Sequence, residues 1–240
     1  MATWDGLDEA ALARRTRAPR AIIRASVPSV MDIAHELGEQ GAPSGTIVIA
    51  DEQTAGRGRA GRQWFAPPGA GLWLAMLLRP SSPPSGGALA IRVGLAVRDA
   101  LSQAADLAAG LKWPNDIVVA GQKLGGVLCE ARWTGAQLGW IAAGVGLNVH
   151  GPLAPEVRAS ATAIRELVPG VSRIAVLEEL APRVAAVAAA PGPLQADERA
   201  AYLACLWMPP GTEAVLGIEP DGALLVRTAE GRVVRRTEAD

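Results

Sequence analysis

The chain has 240 residues, of which 50% are hydrophobic and 20% charged, with 23 basic against 24 acidic side chains for a net charge of −1. This excludes wholesale disorder, which requires low hydrophobicity and high net charge, and provides no overall field favouring nucleic acid or an anionic membrane. No apolar run approaches the ~20 residues of a membrane span. Asp5, Asp8 and Glu9 stand where a signal peptide would be basic, and two cysteines, Cys129 and Cys205, form neither a disulfide framework nor a metal cluster, so a cytoplasmic location is expected.

In chain order, residues 10–24 form a basic lead-in, a solvated helix face running into a strand at Ile22-Ile23. Ser29 followed by Asp32 suggests a Ser-x-x-Asp capping box. Val30, Ile33, Ala34 and Leu37 then share one helical face up to the stop at Gly41. Residues 46–50 and 72–78 are apolar strands, 79–87 is turn-rich, and 88–109 is a long, largely buried helix. A hairpin is expected over 117–120 and 123–133 with Gly121-Gln122 at its turn, and the next strand over 138–145. Helices follow near 173–189 and 197–206, separated by the break Pro191-Gly192-Pro193. The tail alternates as strands over 213–218, 223–228 and 232–236. The order is that of a mixed α/β body over 1–205 with a small β unit over 206–240.

The segment from Asp51 to Phe65 is the most informative. It holds Gly56-x-Gly58-x-x-Gly61, which matches the dinucleotide-binding pattern, yet Pro67-Pro68 blocks the helix that this pattern must open. Three glycines instead let a backbone wrap a ligand, while Arg57, Arg59 and Arg62 supply guanidinium forks suited to phosphate and carboxylate oxygens. Taken alone, such a loop is equally a solvated surface segment. Lys112-Trp-Pro-Asn-Asp116 places an amide and a carboxylate at a strand entry, where a plain turn cap would use the same residues. Lys123-Leu-Gly-Gly126 then sets a cation beside two glycines. Lys112 and Lys123 are the only lysines in an arginine-rich chain.

These motifs resemble the biotin protein ligase family. Gln53–Trp64 is similar to that family's glycine-arginine loop, and Lys112–Asp116 and Lys123–Leu128 to its next two motifs in order and spacing. Gly144-Val-Gly-Leu-Asn148 is similar to its glycine-asparagine segment, and Ala161-Thr162 to the start of its Ala-Thr-Ser element. The resemblance runs from about Ser29 to Ala163. It implies an α+β fold, a mixed β-sheet backed by helices (class II synthetase-like), with a small C-terminal SH3-like β-barrel. It also implies ATP-dependent activation of biotin as biotinyl-5′-AMP, then transfer to a lysine of a biotin carboxyl carrier protein or domain of acetyl-CoA or related carboxylases.

The implied biotin contacts are Ser29, Val30, Met31, Gln53, Gly56, Arg57, Gly58, Arg59, Lys123 and Gly126. Those for ATP are Arg59, Arg62, Trp64, Asn115, Lys123 and Asn148. Lys123, Arg57 and Asp116 would carry the chemistry: Lys123 and Arg57 neutralise the reacting carboxylate and phosphate, and Asp116 stands near the incoming lysine. ATP with Mg²⁺ is the implied cofactor, with no metal at a fixed protein site. The loop is expected to order over the ligand.

This sequence departs from the family at its first motif, Ser-Thr-Asn, which here reads Ser29-Val30-Met31. Val30 has no hydroxyl for the ureido ring of biotin. About twenty residues precede the first strand, too few for a DNA-binding helix-turn-helix, so neither DNA nor a membrane is an expected partner, while a homodimer stays open. Two other readings remain: a lipoate-type protein ligase, and a single-stranded nucleic-acid binding module using the Arg-Gly loop and tryptophans as stacking platforms.

Overall fold

A computed structural model describes residues 3–190 and 192–237; Pro191, in the expected Pro-Gly-Pro break, lies outside them. Helix α1 (Glu9–Thr16) is capped by Asp8 and ends where Arg17 turns left-handed, so the basic lead-in is a short helix entering strand β1 (Ala21–Val27). Helix α2 (Val30–Glu39) connects β1 to β2 (Ile47–Gln53), and these two strands pair in parallel. Strand β3 (Gly71–Leu78), helix α3 (Ala88–Ala105) and strands β4 (Gly110–Lys112), β5 (Asp116–Val119), β6 (Gln122–Thr134) and β7 (Gln137–Asn148) follow. The sheet order is β1-β2-β3-β7-β6-β5-β4, with every pair after the first antiparallel. The expected mixed sheet backed by helices is therefore present.

Both faces of the sheet centre are covered. Ile47 and Ile49 face the larger core with α3, while Val48 and Ala50 face a second core built around α2 through Ala34 and Leu37. All eight residues of β3 are buried. A strand covered on both sides needs an unbroken apolar run rather than alternation, which is why 72–78 reads as it does.

Three details depart from the sequence expectations. Helix α3 stops at Ala105 instead of 109, because Asp106 adopts a left-handed conformation (φ 49°) and its N–H closes back onto Leu101 and Ser102. The freed residues then supply β4. The β5–β6 turn falls on Ala120-Gly121 (φ 50° and 78°), one residue earlier than expected and in the conformation that suits a two-residue hairpin. Ser29 does cap α2, accepting from the Met31 N–H at 3.3 Å, but Asp32 does not complete a capping box; its carboxylate pairs elsewhere, with Arg57.

After α4 (Ile164–Leu167), α5 (Arg173–Val187) and α6 (Ala196–Cys205), the tail strands β8 (Ala214–Ile218), β9 (Leu224–Arg227) and β10 (Val233–Arg236) form a three-stranded antiparallel sheet. Its pairings run β10-β9-β8 without closing into a barrel among the described residues. Ile218, Leu224 and Val226 join the main core, and the Trp113 indole N–H donates to the Gly222 carbonyl at 2.9 Å. No helix among the described residues is long and apolar enough to cross a membrane.

Candidate active site

A cleft of about 630 Å³ opens beside the N-terminus of α2, above β6 and β7. It follows β7 from Gly144 to Asn148, roughly 13 Å at strand rise. Nearest α2 its wall is apolar, with Val30, Met31, Leu74, Leu128 and Val145; farther along come Asn115, Asp116, Lys123 and Asn148. Met31 packs closely against β7 at Gly144, where a Cβ would sit 2.7 Å from the Met31 sulfur and force that side chain to shift.

The arginine loop forms the cleft's third side as a small hairpin. The Gly58 N–H donates to the Arg62 carbonyl (2.7 Å) and the Trp64 N–H to the Gly56 carbonyl (2.8 Å), with further bridges at Gln53–Ala66 and Arg57–Gln63. Gly61 turns the chain at φ 71°, and a Cβ on Gly56 would lie 2.6 Å from the Trp64 carbonyl oxygen. The glycines thus serve a tight turn and a close strand approach. A strand, not a helix, follows the loop, so the dinucleotide pattern is coincidental.

Of the residues singled out in the sequence, Ser29, Val30, Met31, Gln53, Arg57, Gly58, Arg59, Arg62, Trp64, Asn115, Asp116, Lys123, Gly126 and Asn148 all line this one cleft. Gly56 does not; it is buried within the loop hairpin, where its carbonyl accepts from the Trp64 N–H. Lys123 Nζ sits 2.6 Å from Asp116 Oδ1 and 5.4 Å from the centre of the Trp64 ring. Trp64 in turn lies on a glycine platform: a Cβ on Gly146 would come within 2.8 Å of the indole, and one on Gly126 would reach ordinary contact at 3.6 Å. Edge-on packing with Trp73 at 6.3 Å completes its seat. Backbone groups engage the amides. Asn115 Nδ2 donates to the Val127 carbonyl (2.7 Å) and Asn148 Nδ2 to that of Thr162 (3.1 Å), which turns each amide oxygen toward other partners. Gln53 Oε1 accepts from the Val30 N–H at 2.9 Å, so its NH₂ remains as a donor beside Gly56.

Arg57 reaches over the apolar end to Asp32 Oδ1 at 2.7 Å, with Glu130 Oε2 at 3.9 Å. The hydrogen bond to Asp32 is the largest influence holding its guanidinium above the ordinary arginine range. Arg59 and Arg62 have no carboxylate partner among the described residues, and no group of three or more potential metal-ligating side chains occurs among them.

Sequence reasoning missed Glu130 and His35, whose partners come from strands and helices far apart in the chain. It also missed the cleft wall at Phe65, Leu153, Ala154, Glu156 and Val157. Glu130 was legible in one respect: it continues the alternation Gly126, Leu128, Glu130 on the cleft-facing side of β6.

The model of the biotin/lipoate A/B protein ligase family matches residues 24–148, and the chain belongs to that family. Among curated proteins, it is 38% identical over 125 residues to the bifunctional ligase/repressor BirA of Bacillus spizizenii, covering 52% of this chain and 38% of that protein. It is 39% identical over 170 residues to the biotin–[acetyl-CoA-carboxylase] ligase of Mycobacterium tuberculosis, covering 66% of this chain and 61% of that one. The chain therefore spans less than two thirds of the length of either relative. Among solved structures, the biotin protein ligase from Aquifex aeolicus, in complex with biotin and ATP, superposes with a TM-score of 0.75 at 25% identity, covering 91% of this chain and 95% of that one.

Proposed function

We propose that this chain is an ATP-dependent biotin ligase that forms biotinyl-5′-AMP and passes the biotinyl group to a lysine of a biotin carboxyl carrier protein or domain. One observation carries the reading: a single cleft holds an apolar end, a lysine set on Trp64 between two glycine-bearing strands, and three arginines. An apolar acid and a polyphosphate would occupy those two ends.

In the first step, a carboxylate oxygen of biotin attacks the α-phosphorus of ATP and pyrophosphate leaves. Two anions must approach each other, so cations fixed at their meeting point lower the barrier most. Lys123 stands there, with Arg57 toward the acid. Arg59 and Arg62, which have no carboxylate partner among the described residues, would take the polyphosphate. In the second step the carrier lysine amine attacks the acyl carbonyl, an amide forms, and AMP leaves. Lys123 exchanging Asp116 for phosphate would free the Asp116 carboxylate to take the amine's proton.

The described residues offer Mg²⁺ no cluster of ligands of their own, since Asp116 is engaged by Lys123 and the surrounding charge is largely cationic, so the ion would enter with ATP and be held chiefly by its phosphates. When bound it would offset the charge of the departing pyrophosphate. With Val30 and Met31 in the wall, ureido contacts would come from the Gln53 amide and backbone groups. Free Cys129 and Cys205 accord with work in the cytoplasm. In this reading residues 1–205 are the catalytic unit and 206–240 a small SH3-like unit packed against it.

Biotin-dependent exchange of pyrophosphate into ATP tests the proposal, run beside lipoate and octanoate. Exchange with biotin alone supports it; exchange with lipoate alone makes the chain a lipoate-type ligase.

A further inference from the structure

Among the described residues, Arg57 is the one loop arginine tied to the body of the protein through carboxylates of two separate elements, Asp32 on α2 and Glu130 on β6. Glu130 does not stand free. His35 Nε2 lies 2.9 Å from the same Glu130 oxygen, while the Trp140 indole N–H donates to His35 Nδ1 at 3.1 Å. Because Nδ1 accepts that bond, a neutral His35 carries its proton on Nε2 and donates it to Glu130. Trp140 is itself seated: Arg79 stacks 5.8 Å from its ring centre and fastens the end of α2 through the carbonyls of Gly38 and Ala42. The His35 side chain is 8% exposed and that of Glu130 26%, so this carboxylate is oriented from behind by packed groups.

We propose that Asp32 and Glu130, the latter oriented by His35, are positioning residues that hold the arginine loop closed over the apolar end of the cleft through Arg57, and so set how long the bound intermediate is retained. Neither carboxylate needs to touch the ligand. A loop rich in glycine loses considerable conformational freedom on closing, and an arginine strapped across two elements offsets part of that cost without adding bulk to the pocket. The Arg57 and Asp32 side chains are 38% and 47% exposed. Each carboxylate is therefore worth about a two- to fivefold effect, as for other half-exposed ion pairs, and the pairing weakens as salt rises.

The retention half rests on the biotin-ligase reading; the closure half does not, and the experiment separates them. Trypsin nicking of the intact, ligand-free protein after Arg59 and Arg62 reads closure directly. Asp32→Asn and Glu130→Gln should each nick about two- to fivefold faster at unchanged melting temperature, with Asp32→Glu restored toward wild type. Wild-type nicking should quicken with added salt, whereas that of the double variant should barely respond. Release of preformed biotinyl-AMP from the same variants should accelerate in the same order. Unchanged nicking in both variants, with melting temperatures intact, overturns the proposal. Should either variant fail to fold, Arg57→Gln replaces it: this loop change removes both pairings, and wild-type nicking after Arg59 and Arg62 would again overturn it. Faster nicking in a protein whose wild type forms no biotinyl-AMP would uphold the closure device while sinking the biotin-ligase reading.

Discussion

Lys123 and Arg57 enter the cleft already paired with carboxylates, at 2.6 and 2.7 Å, whereas Arg59 and Arg62 enter it with none among the described residues. The first two are also tied to secondary structure: Lys123 is on β6 and rests on Trp64, and Arg57 is strapped to α2. The other two belong to the short turn of the loop hairpin. A paired cation is held in place before its anion arrives and must exchange partners when it does. An unpaired one is free to follow a flexible polyphosphate. The first arrangement suits reacting atoms, where small displacements are costly; the second suits binding.

Substituting the paired lysine should have the largest effect. Lys123→Gln is expected to lower biotin-dependent pyrophosphate exchange by ~10²–10³, and Lys123→Arg to keep some ligand binding while losing most adenylation, since a planar fork does not replace a compact ammonium. Melting temperatures should hardly move. Wild-type exchange in both variants would erase the distinction between the two pairs.

Next comes the support beneath that lysine. Gly146→Ala pushes a methyl to within 2.8 Å of Trp64, and overpacking of this kind costs about 1–3 kcal/mol, so both stability and exchange should fall. Gly126→Ala meets its neighbours at 3.6 Å and should fold normally while binding ligand less tightly. Thermal melting with ligand titration distinguishes the two; identical behaviour would mean that the glycine platform does not set the position of Lys123.

The unpaired arginines should matter less, and differently. Arg59→Ala and Arg62→Ala are each expected to raise the KM for ATP about tenfold, near 1.4 kcal/mol, with kcat and melting temperature little changed. A fall in kcat without a change in KM would place them with Lys123.

A pair far from the cleft supplies the smallest effect on activity. Arg92, buried on α3, binds Glu198 of α6 at 2.6 Å, and this hydrogen bond is the chief cause holding Glu198 below the usual carboxylate range. A depressed carboxylate stabilises the fold above its unfolded pKa, near 4.5, and that contribution disappears as pH falls through the folded value. Glu198→Gln should therefore remove part of the acid limb of the stability profile and cost about 1–3 kcal/mol at neutral pH, with exchange activity unchanged. An unaltered acid limb would show that the bridge contributes little.

Much of this was legible in the sequence because it was local. The loop glycines and arginines, the Asn115-Asp116 turn and the Lys123 strand each announce themselves within a few residues, and their convergence on one cleft follows from β5 and β6 being a hairpin beside β7. What stayed hidden depends on contacts across the fold. Asp32 reads as a capping residue from its spacing, yet an arginine 25 positions away takes its carboxylate. Glu130 and His35 are 95 residues apart, and no short pattern joins them. Gly56 reads as a ligand contact from its motif, whereas the space its missing side chain leaves belongs to the Trp64 backbone. The end of α3 turned on one aspartate taking a left-handed conformation, which composition does not reveal.

The decisive measurement is biotin-dependent ATP–pyrophosphate exchange by the purified protein, with wild type, Lys123→Gln and Arg59→Ala compared over a range of ATP concentrations. The expected pattern is robust wild-type exchange, near-complete loss in Lys123→Gln at every ATP concentration, and recovery of Arg59→Ala as ATP is raised. Absence of exchange from well-folded wild-type protein, or equal activity in wild type and Lys123→Gln, would contradict a role for this cleft in activating biotin.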